Sequence, residues 1–232
     1  MNNGFSRFMG IFFEPVKTMQ RLHEKSPWYE PFIVILITSI IFAYITFPIQ
    51  VKDRVEMIKS STKLSQRITE EQLEKIANPG EKSRIIQTLI NSLIALIFPF
   101  LIFTGTLTII IKMLGGEGSF KEFWCATLYS SYIDYFLGSG VKSALVMLKK
   151  TYLTVSTGIS IFFPALTYKD PIYHVLTFID FFTIWSYIVL SFGVSKFTKF
   201  SLKKSLIILG IIFLLRLAIL SITTILSFKI YS

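Results

Sequence analysis

Cysteine and histidine are nearly absent from this chain, and their scarcity removes several chemistries at once. Cys125 is the only cysteine and lies inside an apolar run, so no disulfide can close within the chain and a thiolate metal site is not expected. His23 and His174 are the only histidines, too few for a His-rich metal centre. The glycines of Leu114-Gly115-Gly116-Glu117-Gly118-Ser119 lead into Phe120-Lys121. A phosphate-cradling loop needs Lys followed by Ser or Thr, so these residues form only a tight turn. Gly138-Ser139-Gly140 likewise lacks the Gly-x-Ser-x-Gly spacing of a hydrolase elbow, and small residues at such a place let helices approach closely. No catalytic residue, metal or cofactor is expected.

Acidic residues are also short, at 14 against 24 Lys and Arg, for a net charge of +10. The cations gather between apolar runs with no stacking aromatics interleaved, so their natural partners are anionic lipid headgroups rather than nucleic acid. Glu14, Glu24 and Glu30 precede the first apolar run. No basic n-region opens the chain, and no cleaved signal peptide is expected.

What the chain has in abundance is apolar length. Hydrophobic residues make up 52% of it, with 23 Phe, and mean hydropathy is +0.60. Five apolar stretches, at about 31–51, 85–111, 123–148, 175–196 and 205–228, can each cross a hydrocarbon core that needs about 20 helical residues. The expected fold is all-α, a polytopic integral membrane bundle of five transmembrane helices preceded by an interfacial amphipathic segment over 1–30.

In that segment Phe5, Phe8, Met9 and Phe12 share one helical face, which is expected to lie on the bilayer. Ser26-Pro27-Trp28-Tyr29 then leads to the first span, with aromatic rings at headgroup depth. Phe5, Phe8, Phe12 and Trp28 are the expected membrane-interface anchors.

The one substantial extramembrane piece is 52–84. Thr69 and Gln72 read as a capping box opening a short helix that Asn78-Pro79-Gly80 ends. A second box, Ser119 with Glu122, opens the third span. Pro99 stands in the middle of the second span and predicts a kink. The segment 152–166 is apolar but too short for an ordinary span, and is expected in the interface or as a re-entrant dip, with a sixth span through local thinning as the remaining alternative. Counting cations over all loops leaves the orientation open, because 52–84 is rich in both signs, and the remaining short loops favour a cytoplasmic N-terminus.

Four ionisable residues fall within or beside spans: Asp134, Lys142, Asp180 and Arg216. At 1.5 Å per residue, Asp134 and Arg216 lie about 17 Å deep from the inner ends, and Asp180 and Lys142 at roughly 24–29 Å. Two matched pairs are expected, either fixing how the helices pack or framing a polar path.

Phe12-Phe13-Glu14-Pro15-Val16-Lys17-Thr18 with Pro27-Trp28 and Pro31, Gly115-Gly116 before Ser119-Phe120-Lys121, and Asp180-Phe181-Phe182-Thr183-Ile184-Trp185 with Gly193, Lys203 and Lys204 resemble the YIP (Ypt/Rab-interacting protein) domain family, bacterial branch. The resemblance implies five spans, a cytoplasmic N-terminus and an outside C-terminus. Eukaryotic relatives act with small GTPases, but their Asp-Leu-Tyr-Gly-Pro motif is not found here, so that partner is not carried over. Two functions stay open: a non-enzymatic organiser of membrane components with a membrane-protein partner, or a transporter or lipid-handling protein using a groove around Asp134 and Arg216.

Overall fold

A computed structural model describes residues 4–25 and 27–231, with the side chains of 23–25, 62–64 and 229–231 excepted. Ser26 and the side chain of His23 thus lie outside the described residues. The described chain is helical, and its only strand-like pairing is one isolated bridge between Gly158 and Asp180.

The helices are α1 (Gly4–Phe13), α2 (Pro15–Lys25), α3 (Tyr29–Ser60), α4 (Thr62–Arg67), α5 (Glu70–Ala77), α6 (Glu81–Met113), α7 (Phe120–Ser130), α8 (Ser139–Lys149), α9 (Pro171–Thr177), α10 (Phe181–Thr198) and α11 (Leu202–Tyr231). A π-helical segment, Tyr132–Gly138, joins α7 to α8, and a 3₁₀ turn, Ile159–Phe162, lies between α8 and α9. Four helices, α3, α6, α10 and α11, are long and apolar enough to cross a membrane.

The third apolar stretch is helical in three consecutive pieces, α7, the π segment and α8. The Ser130 and Ser131 hydroxyls both donate to the Thr127 carbonyl, which already accepts the Ser131 N–H of the helical ladder, and such side-chain back-bonding competes with that ladder. The π segment begins directly after it. The fourth stretch is likewise divided, since α9 ends at Thr177 and α10 starts only at Phe181. The segment 152–166 holds turns and the 3₁₀ helix and is no sixth span.

Both capping boxes are present: Thr69 and Gln72 exchange side-chain-to-backbone bonds at the start of α5, and Ser119 and Glu122 do so at α7. α6 closes as its glycines require, with Gly115 at φ +76° and the Gly116 N–H on the Ile111 carbonyl at 2.9 Å.

Close approach divides the chain into two units: 1–39, 92–138 and 182–214, and 40–91, 139–181 and 215–232. In the first, an apolar core gathers Ile11, Met19, Leu22, Phe123, Tyr129, Tyr132 and Val194. α1 and α2 pack on α7 and the π segment. Gly193 lets them close up, because a Cβ there would stand 3.0 Å from the Ala126 Cβ and 3.1 Å from the Met19 sulfur.

The N-terminal helices therefore present two apolar faces where one was expected. Phe8 meets Tyr132 and Phe136 edge-on at 4.8 and 5.0 Å between ring centroids, and Phe12 meets Trp185 at 6.5 Å. Phe5, Met9, Phe13 and Val16 face outward. The periodicity marked a stripe without saying that a protein core would take its inner edge.

In the second unit, α3 contains a proline inside its helical span, Pro48, which has no N–H to offer the Tyr44 carbonyl one turn back. Arg84 supplies the missing donor: its Nη2 lies 2.8 Å from that carbonyl, and its guanidinium rests 4.1 Å from the Tyr44 ring centroid and 5.4 Å from that of Phe47. A cation at the edge of an apolar helix is thus placed by a backbone defect on its neighbour.

Candidate functional site

Polar side chains close to the apolar spans are the candidates, and the structure gathers them differently in each unit. In the first unit, Asp134 stands on the π segment, half-buried, and its Oδ2 accepts from the Thr183 hydroxyl at 3.1 Å. Ser186, one turn further along α10, donates to the Ser130 carbonyl at 3.0 Å, at the junction where α7 gives way. Thr183 and Ser186 thus serve the π segment from one face of α10.

The same unit holds a triad that sequence reasoning missed. Arg7 grips Glu30 with both arms of its fork, Nε on Oε2 at 2.9 Å and Nη2 on Oε1. The hydroxyl of the fully buried Tyr129 donates to Oε2 at 2.7 Å. The Glu30 carboxylate thereby ties α1 to the start of α3 and to α7. Its hydrogen bond holds Arg7 more firmly protonated than a free arginine. The available signal was a charge inside an apolar stripe, Arg7, and an acid at the threshold of a span, Glu30.

In the second unit, Lys142 Nζ lies 3.2 Å from Asp180 Oδ2, and the Thr157 hydroxyl donates to the same oxygen. Asp180 is buried and Lys142 reaches it from the surface, with side-chain exposures of 5% and 37%. Asp53, 4% exposed, accepts from the Thr151 hydroxyl at 3.0 Å and from the Tyr152 N–H. Tyr152 in turn bonds Thr46, and Gln50 reaches the Tyr152 hydroxyl at 3.1 Å. Thr46, Gln50 and Asp53 share a face of α3, so one helix stripe anchors the chain where it leaves α8. Asp53 went unnoticed because it falls in the charged stretch after Val51, where α3 in fact continues to Ser60.

Of the four candidate charges, the structure brings Lys142 and Asp180 together. It places Asp134 with Thr183 in the first unit and leaves Arg216 exposed on α11 in the second. Of the expected interface anchors, Phe5 is 71% and Trp28 39% exposed, whereas Phe8 and Phe12 turn to aromatic partners.

Cys125 is buried in the core, and His174 lies 2.6 Å from the Tyr168 carbonyl through Nε2. Among the described residues no cluster of His, Cys, Asp and Glu is arranged to hold a metal ion.

Compared with known families, residues 9–223 match the model of the Yip1 domain. Comparisons with curated proteins and with solved structures find no match. The match covers nearly the whole chain, and the long apolar helices accord with an integral membrane protein.

Proposed function

The chain belongs to the Yip1 domain family, and from that membership we propose that it is a non-enzymatic integral membrane protein that organises other membrane components. Its five crossing segments are α3, α6, the α7–π–α8 run, α10 and α11. The cation-rich short loops place the N-terminus in the cytoplasm and the C-terminus outside. α1 and α2 lie at the inner leaflet, where Phe5, Met9, Phe13 and Val16 meet lipid while Lys17 and Arg21 meet anionic headgroups.

The observation that supports this reading is that most of the charges near the spans are engaged in bracing, with Arg216 on α11 the exposed exception. Lys142 holds Asp180, Thr183 holds Asp134, and Arg7 and Tyr129 hold Glu30. Groups so engaged fix helix packing. The test is purification from native membranes in nanodiscs with mass spectrometry of what stays bound, repeated through a tag on any partner found. A stoichiometric protein recovered in both directions is the expected result. Recovery of the chain with lipid alone overturns the reading.

A second reading, transport or lipid handling, draws on the π segment, because such segments recur at functional sites and this one carries Asp134. It requires flux across pure proteoliposomes that Asp134→Asn abolishes.

A further inference from the structure

Between α8 and α10 the chain displays apolar residues where a folded loop would ordinarily hide them. Ile161, Phe162 and Phe163 are 57%, 74% and 48% exposed, and Pro164 and Ala165 continue the exposed run. Ile172 on α9, which packs against the 3₁₀ turn, is 61% exposed as well.

This display is held rigidly. Gly158 pairs with Asp180, the Ile159 N–H bonds the Ile179 carbonyl at 3.1 Å, and the Phe181 N–H bonds Thr157 at 3.4 Å. A Cβ on Gly158 would stand 2.7 Å from the Thr177 carbonyl oxygen, so only glycine permits the two strands of chain to lie so close. Ser160 points inward, 2% exposed, with its hydroxyl on that of Ser156 at 2.7 Å. The turn that buries Ser160 therefore drives Ile161 and Phe162 outward.

Position and charge name what covers them. Ile159 sits beside Ile179, two residues before α10 begins at Phe181. At about 2 Å per 3₁₀ residue, the rise from Ile159 to Phe162 is roughly 6 Å, which keeps the apolar tip near the Ile179 end of the chain leading into α10. Exposed Lys150 and Lys169 bracket the apolar tip in the sequence, and Lys169 lies 5.9 Å from the Tyr168 ring centroid. An apolar tip framed by cations and an interfacial aromatic matches acyl chains below anionic headgroups.

We propose that Ile159–Phe162 and the residues after it form a monotopic finger inserted into the bilayer surface next to α10, with Phe162 and Phe163 among acyl chains and Lys150 and Lys169 at anionic headgroups. The proposal rests on the membrane-embedded reading and is independent of the organising role.

Because Cys125 is the only cysteine and is fully buried, single introduced cysteines can be spin-labelled in the otherwise native chain, with the unsubstituted chain as blank. The sites are Phe162→Cys, Ile211→Cys on an exposed face of α11, and Glu74→Cys on the exposed α5. They are compared in vesicles of phosphatidylcholine and phosphatidylglycerol for collision with oxygen, which enriches in lipid, and with a water-soluble nickel chelate. The expected result is that positions 162 and 211 favour oxygen while position 74 favours nickel.

Nickel-dominated collisions at 162 with oxygen-dominated ones at 211 overturn the finger alone. Protection of 162 from both reagents also overturns it, in favour of a protein cover such as a second copy. Water-like behaviour at 211 overturns the membrane-embedded reading itself. Lys150→Gln with Lys169→Gln is expected to shift the 162 label toward water in vesicles containing phosphatidylglycerol and to leave it unmoved in pure phosphatidylcholine. The absence of that difference overturns the headgroup contact.

Discussion

The two units are held by different forces. The buried apolar residues of the first run from Ile11 through Tyr129, Tyr132 and Val194 to Ile212, whereas the second buries only Ile58, Val146 and Tyr173 among the described residues. In their place stand Thr46, Asp53, Ser160 and Asp180. The first unit is packed as well as fastened, and the second is fastened with little packing. In lipid, where helix association gains little from the hydrophobic effect, close packing and interhelical hydrogen bonds are the two remaining devices; the first unit uses both, and the second relies mainly on hydrogen bonds.

Removing packing from the first unit is expected to have the largest effect. Tyr132→Ala empties a 2%-exposed site beside Phe8 and Tyr129, and thermal unfolding in detergent should register a loss of about 4 kcal/mol. In the second unit, Asp180→Ala strips Lys142 and Thr157 of their shared acceptor. The expected loss is about 3 kcal/mol, with protease cutting appearing in 150–180 first. A cost near zero for Asp180→Ala would erase the distinction between the units.

A sharper probe exploits the proline in α3. Arg84→Leu leaves the Tyr44 carbonyl without a donor and should cost about 2 kcal/mol. Pro48→Ala restores the N–H one turn away, so the double variant should recover most of that loss, as a thermal double-mutant cycle would measure. Additive costs would show that Arg84 serves something other than the freed carbonyl.

Much of this was legible beforehand, and the reasons are local. Capping needs residues three apart, so Thr69 with Gln72 and Ser119 with Glu122 could be read directly, as could the glycine turn after α6. Depth along a helix is also local, and it put Lys142 and Asp180 at one level; they lie 3.2 Å apart. Helix face is not local. Depth arithmetic gives a height without a direction, so it matched Asp134 to Arg216 by level and could not name Thr183, which donates to Asp134 from α10. The π segment within the third stretch escaped because no proline or glycine marks its start; the two serine hydroxyls on the Thr127 carbonyl do.

Smaller effects belong to the exposed parts, where neither force operates. Thr69→Ala should cost about 1 kcal/mol, confined to α5 and seen as faster amide exchange there with an unchanged global transition. The Asp170 carboxylate accepts from the Thr167 N–H at 2.7 Å, and that bond holds it below the usual aspartate range. Its folded pKa is depressed, so its contribution is present above the unfolded value and lost as pH falls through the folded one. Exchange at the Thr167 amide, corrected for intrinsic rate, should therefore accelerate only in acid below the ordinary aspartate range.

α3 runs without a break for 32 residues, about 48 Å at the helical rise, against a hydrocarbon core of about 30 Å. Mechanically it is a rod with its joint at Pro48 and a bolt, Arg84, through that joint. Withdrawing Arg84 would turn one stiff lever into two, and α3 would bend at a place already chosen by its covalent chemistry.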